Sequence, residues 1–278
     1  MKNILKIMLM MITIFTIAGS AVYAAEIPVS DQDQLITSND WTEISNLQDE
    51  MKKEEPDATI DYDKALKVYV DCNLIKLQTA DTKKLTSALE SANYVWVIPF
   101  KMEKTYGMFT VAKGLPLSEE AKSVLTKAEQ EEVKNHAGKW MITETAEHTV
   151  EPYYDILLEK REALSDCTRV VLVGSQPGMR QPVALGMDDE TARIWISLGY
   201  QYPVMEKIPE TQNVESGVYS FDSVAEISDT YIEDSEVSTG AGVQSRSSMK
   251  YVAGIGIIVI GSILILSVLK KKKLEDYE

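Results

Sequence analysis

Cysteine and histidine are scarce, with two of each among 278 residues. Two cysteines cannot build a disulfide-dense miniprotein or a zinc ribbon. Two histidines leave little room for a multi-histidine metal centre. Positive charge is also short: 28 Lys and Arg stand against 43 Asp and Glu, a net of −15. A nucleic-acid binder needs a basic face to neutralise phosphates, so that class is excluded. No glycine-rich phosphate loop, cofactor fingerprint or His-Glu-x-x-His motif occurs, and no cofactor is expected. Long apolar runs are missing from the middle of the chain and occur only near its two ends.

Those ends give an address. A short basic start, Met1 to Lys6, precedes an apolar run from Ile7 to Val22 and the small-residue close Val22-Tyr23-Ala24-Ala25. This is the three-part layout of a secretory signal peptide spanning 1–24. Near the other end, Tyr251 to Leu269 contains only aliphatics, Gly and Ser after the tyrosine. As a helix it would span about 28 Å, close to the hydrocarbon thickness of a bilayer. Four lysines, Lys270 to Lys273, follow, and clustered lysine beside a span stays cytoplasmic. The expectation is a single-pass protein of the cell membrane. A transmembrane helix covers 250–269, the N-terminal domain is extracellular and the C-terminus is cytoplasmic. The tail 270–278 is too short to carry a module of its own. A similar tail arrangement occurs in wall-anchored proteins of Gram-positive bacteria. Their Leu-Pro-x-Thr-Gly motif is not present; the nearest string, Glu236-Val237-Ser238-Thr239-Gly240, keeps only Thr-Gly and reads as linker.

Between the ends, residues 25–249 hold 40 of the acidic and 21 of the basic side chains, a net of −19. Composition divides them into three zones. Residues 25–60 are polar and acidic, with a short helix around Trp41 to Lys53 and Asp40 and Glu43 placed as a capping box. Residues 61–208 carry the periodic patterns. Residues 209–249 are rich in Ser, Thr, Asp, Glu and Gly and read as an acidic stalk, although Val218, Tyr219, Phe221, Val224 and Ile227 leave room for one strand to dock back.

In the middle zone, Leu66, Val68, Val70, Cys72 and Leu74 share one parity, as a half-buried strand requires. Asp81 can cap a helix with Leu85, Ala88, Leu89 and Ala92 on one stripe. Tyr94 to Ile98 is continuously apolar, the pattern of a strand covered on both faces, and Thr105 to Ala112 pairs with it as a hairpin. Ser118 opens a helix whose apolar side is Ala121, Val124, Leu125, Ala128 and Val133. Trp140 to Thr145 is a further strand, Pro152 starts a helix, and Arg169–Val173, Gln181–Gly186 and Ala192–Ser197 are three final strands. Short links between consecutive strands need antiparallel pairing. The fold class is α+β: a single ectodomain with a mostly antiparallel sheet and packed helices.

Candidate chemistry starts with Cys72 and Cys167. Two arrangements stand open: a disulfide closing a loop of about 95 residues, worth ~4–5 kcal/mol on the chain-entropy model, or two separately buried thiols. A catalytic role is a third. Leu164-Ser165-Asp166-Cys167-Thr168-Arg169 resembles, over six residues, the active-site strand of sortases, where a cysteine precedes a strand and an arginine assists. The resemblance implies Cys167 as nucleophile, His136 or His148 as its partner and Arg169 or Arg193 at the oxyanion. The family's Thr-Leu-x-Thr-Cys signature is absent. Gly174-Ser175-Gln176-Pro177-Gly178 has the wrong spacing for a nucleophile elbow and reads as a turn. Asp57, Asp61 and Asp63, and again Asp188, Asp189 and Glu190, are close-spaced carboxylates. They lack the glycine and distal glutamate of a calcium loop, so no metal ligand is assigned.

These features point to a non-enzymatic, membrane-anchored extracellular binding domain. Its ligand is an unidentified protein, a wall component or a small molecule. The lysine-, isoleucine- and glutamate-rich composition fits the surface of a low-GC bacterium. An accessory subunit of a membrane transporter or sensor, and a tethered cysteine hydrolase or transpeptidase, are the alternatives.

Overall fold

A computed structural model describes residues 27–228, apart from 149, 175, 177, 178, 180, 201, 203 and 210–212. The signal peptide over 1–24, the distal stalk from 229, the span over 250–269 and the tail over 270–278 lie outside the described residues. Among the described residues no helix is long and apolar enough to cross a membrane.

One ten-stranded sheet organises the described residues. Its strands are β1 (Thr59–Ile60), β2 (Leu66–Tyr69), β3 (Tyr94–Lys101), β4 (Tyr106–Lys113), β5 (Trp140–His148), β6 (Arg169–Val173), β7 (Val183–Met187), β8 (Ala192–Ile196), β9 (Asn213–Glu215) and β10 (Val218–Ser220). Their order across the sheet is β5-β4-β3-β2-β6-β7-β8-β10-β9, with β1 pairing β3 beyond the end of β2. Every pairing is antiparallel except β2 with β6. Two antiparallel runs therefore meet along one parallel seam. That seam needs a long crossover, and the chain from β3 through β5 and a helix supplies it.

Helices and turns cover both faces. They are α1 (Trp41–Ile44), α2 (Gln48–Glu54), α3 (Thr82–Glu90), α4 (Glu119–Val124), α5 (Lys127–His136) and α6 (Tyr153–Glu159), with a last helical segment over 221–228. On one face α3 packs Leu85 and Leu89 with Val171, Val173, Leu185 and Trp195. The neighbouring part of that face joins Leu35, Ile44 and Met51 to Trp96, Ile98, Phe100 and Phe109. On the other face α6 lays Tyr153 and Leu157 on Leu66, Val68, Val170, Leu172 and Ile196. β2, β3 and β6 are thus covered on both sides, which explains the continuous apolar run of β3. It also corrects the half-buried reading of β2. Tyr69 is buried along with Leu66 and Val68, and the strand ends there; Cys72 and Leu74 turn to the opposite face.

The domain is longer than 61–208 at both ends. Residues 27–60 of the polar segment 25–60 are folded in: Ile27, Val29, Leu35, Ile44, Met51 and Ala58 are all buried. Its apolar residues are spread too thinly to show a period, yet these six join the core clusters on the sheet, while Ile36 stays exposed. The start of the stalk is folded in as well. β10 pairs β8, Val218 and Val224 are fully buried, and the Phe221 ring stacks 5.7 Å from that of Trp195.

Capping follows the sequence at two helices. Asp81 accepts from the N–H groups of Lys83 and Lys84, and Ser118 from that of Ala121. The helix opened by Ser118 breaks at Leu125 and restarts behind a Thr126–Glu129 capping box. Over 115–136 no described side chain is buried, and Val124 is 68% exposed. The expected apolar side of this helix therefore finds no sheet. The pair projects from a narrow neck at Gly114, which donates to the Lys139 carbonyl and accepts from the Gly138 N–H, at 2.9 and 2.8 Å. A Cβ on Gly114 would sit 2.1 Å from the His136 carbonyl oxygen.

Candidate functional site

The densest polar chemistry lies where the N-terminal segment crosses β2, β3 and β6. In β2 and β3, Lys67 sits opposite Trp96 and Tyr69 opposite Tyr94, so one sheet face carries a cation among three rings. The Lys67 ammonium lies 4.5 Å from the Tyr94 ring centre, 5.2 Å from Trp96 and 5.9 Å from Tyr69. A short turn over Asp31–Asp33 brings Asp33 down onto this face, where it is 2% exposed. Its carboxylate accepts from Ser30 Oγ at 2.6 Å, Tyr69 Oη at 2.8 Å and Arg169 Nη2 at 3.1 Å, with Lys67 Nζ at 3.6 Å. Seven residues on, Asp40 accepts from Tyr94 Oη at 2.9 Å and Trp96 Nε1 at 3.0 Å. Its carboxylate is thereby drawn away from the helix cap proposed for it: α1 has no side-chain cap bond.

Two aspartates of one segment thus grip one row of the sheet. Burial, then Asp33, raises the Tyr69 phenol well above its ordinary range; burial, then the Asp40 hydrogen bond, does the same for Tyr94. Both phenols stay protonated and keep donating. A buried carboxylate facing two cations is stable only with its hydrogen bonds satisfied, and here they come from three elements. The cluster is a clasp that holds residues 27–40 on the sheet. Sequence reasoning missed it, because Asp33 and Lys67 look like surface charges. The available signal was Lys67 itself, a lone cation in the otherwise apolar and aromatic run Leu66–Val70.

The cysteines are not bridged. Cys72 and Cys167 are both free and buried, in clusters on opposite faces of the sheet. Burial pushes the Cys72 thiol up to about 12, with Asp71 adding to it, and the Cys167 thiol up to about 11 against the weaker pull of Arg193. A nucleophilic cysteine needs its thiolate lowered, not raised, so this environment gives the sortase-like reading no support. Cys167 instead fills space over Gly186, where a Cβ would meet its Sγ at 2.8 Å. Of the residues that reading would gather, Arg169 serves the clasp. Arg193 pairs with Asp188 at 3.3 Å, His136 closes the projecting α5, and His148 ends β5. Ser175, Pro177 and Gly178 lie outside the described residues.

The acidic clusters are engaged locally. Asp61 and Asp155 share Lys64, at 3.6 and 2.8 Å. Asp188 accepts from the N–H groups of Thr191 and Glu190, which hold its carboxyl below the usual range, and Asp189 accepts from Thr168. Among the described residues no group of three His, Cys, Asp or Glu side chains could hold a metal ion. Two surface hollows stand out. One of about 120 Å³ is lined by Lys64, Phe100, Tyr106 and Asp155. The other, about 280 Å³, lies between Ile75–Ala80 and the 221–228 segment.

No protein-family model matches the chain, and neither curated proteins nor solved structures give a match.

Proposed function

We propose that the chain is a single-pass membrane protein that displays an α+β interaction domain outside the cell, with its C-terminus in the cytoplasm. The observation that carries this reading is the apolar run Tyr251–Leu269 closed by Lys270–Lys273, the pattern of a stop-transfer span. The domain supports a role in contact rather than turnover. Its strongest polar cluster is spent on holding its own segment, and its thiols are buried with raised pKa values. The two hollows described above, of about 120 and 280 Å³, fall below the usual volume of a small-molecule site, roughly 300–1,000 Å³. The ligand we infer is a macromolecular surface, a protein or a wall polymer.

The test is protease protection of the full-length protein in intact cells, read through tags at the tail and within the domain. Digestion of the domain from outside with the tail tag protected is the expected result. Release of the protein by alkaline carbonate, or a tail tag cut from outside, would overturn the topology. Crosslinking in the same membranes identifies the partner. A membrane-embedded partner makes the chain an accessory subunit, and wall material alone makes it a free-standing binder.

A further inference from the structure

The two ends of the sheet are built differently. β9 closes one end with three residues, Asn213–Glu215, the short edge by which proteins avoid unwanted pairing. β5 closes the other end with nine, Trp140–His148, and no described strand lies on its outer side. Its sequence, Trp-Met-Ile-Thr-Glu-Thr-Ala-Glu-His, has no proline and no lysine, the residues that most often guard an edge. One irregularity, a register shift between Thr110 and Val111, leaves Thr143 without an opposite residue. From Glu144 onward the register is regular to the end of the strand.

Lys113 covers the Trp140 ring at the start of this edge, and the regular half that follows carries two carboxylates. Glu144 and Glu147 are exposed. They sit opposite Thr110 and Gly107 in β4 and so belong to opposite faces of the sheet. Glu54 of α2 joins them, accepting from Thr145 Oγ1 at 2.5 Å. A second copy of the chain paired edge to edge with Glu144 facing Glu144, or Glu147 facing Glu147, would oppose like carboxylates, and like charges on facing strands repel. A cationic strand would neutralise them.

We propose that β5 is a strand-addition site for an extended, basic segment of another polypeptide. Its recognition element is two Lys or Arg residues three positions apart, so that one meets Glu144 on one face and the other meets Glu147 on the other. The backbone ladder supplies the attraction and the carboxylate pair the selectivity. This rests on the reading of the domain as an interaction module and names the chemistry of its partner.

The experiment uses the full-length protein in lipid nanodiscs and two synthetic peptides. One is an eight-residue Thr-Val-Lys-Thr-Val-Lys-Thr-Val strand, and the other carries Glu in place of Lys. Amide hydrogen exchange is followed across the chain. The lysine peptide is expected to slow exchange over 141–147 by about ten-fold or more at saturation, while the glutamate peptide leaves it unchanged. In the double variant Glu144→Lys, Glu147→Lys the preference inverts. The peptide comparison on the unaltered protein stands even where the double variant fails to fold. Equal response to both peptides, protection only elsewhere, or no protection overturns the proposal. So does concentration-dependent protection of β5 without peptide, which would assign the edge to a second copy. Protease protection decides the display reading separately: an outward-facing domain whose β5 ignores the lysine peptide defeats strand addition alone.

Discussion

At the scale of single residues, the fold depends on a few charges that sit where charges are expensive. Asp33 is the clearest. Replacing it with alanine would leave Lys67 and Arg169 side by side without their shared counter-charge and leave Tyr69 Oη without its acceptor. Breaking a buried pair by removing one partner costs roughly 3–5 kcal/mol. Lys67→Met is a milder change: Asp33 keeps Ser30, Tyr69 and Arg169, and the methionine chain still fills the aromatic cage. Urea unfolding should therefore show Asp33→Ala losing about 3 kcal/mol or more, and Lys67→Met markedly less. The reverse order would mean that the ring contacts of Lys67, not the Asp33 network, hold the segment. None of this was legible from Asp33 alone. It stands in the polar stretch Ser-Asp-Gln-Asp-Gln, and its burial is decided by β2 and β6, which lie far along the chain.

At the scale of elements, the sequence was informative wherever a pattern had only local causes. Asp81 and Ser118 cap as expected, β3 is central and covered on both faces, and the strands expected over Arg169–Val173, Gln181–Gly186 and Ala192–Ser197 form as β6, β7 and β8 with ends shifted by at most two residues. Elements whose fate depends on what lies opposite were less legible. Val124, Leu125 and Val133 have the spacing of a packed helix, but their helix left the sheet at the Gly114 neck. The difference can be measured. Val124→Ser should change the unfolding free energy by no more than about 0.5 kcal/mol, the ordinary range for an exposed site. Leu85→Ala on α3, by contrast, should cost about 2–5 kcal/mol, the usual range for a leucine truncated in a core. Calorimetry on the two variants compares them directly. A large loss at Val124 would show that the projecting pair docks on the domain after all.

At the scale of the molecule, composition drew boundaries that packing moved. Ser, Thr, Asp and Glu dominate 209–249, so a stalk reading was natural. What composition could not weigh is that a few well-spaced apolar residues suffice when a sheet edge is waiting. Val218, Phe221 and Val224 are each buried, and β10 takes the edge of β8 through Val218↔Ile196, Tyr219↔Trp195 and Ser220↔Ile194. Burying three such side chains contributes roughly 1.5–3 kcal/mol apiece. Together they approach the whole stability of an ordinary domain, roughly 5–15 kcal/mol. Removing them also bares the fully buried Trp195 face that Phe221 covers. A chain of residues 25–228 should therefore unfold in one cooperative transition with a blue-shifted tryptophan emission. A chain of residues 25–208 should show neither, and its β8 amides should exchange freely. If the shorter chain kept the same midpoint, residues 209–228 would return to the linker, and the domain would need another cover for Trp195.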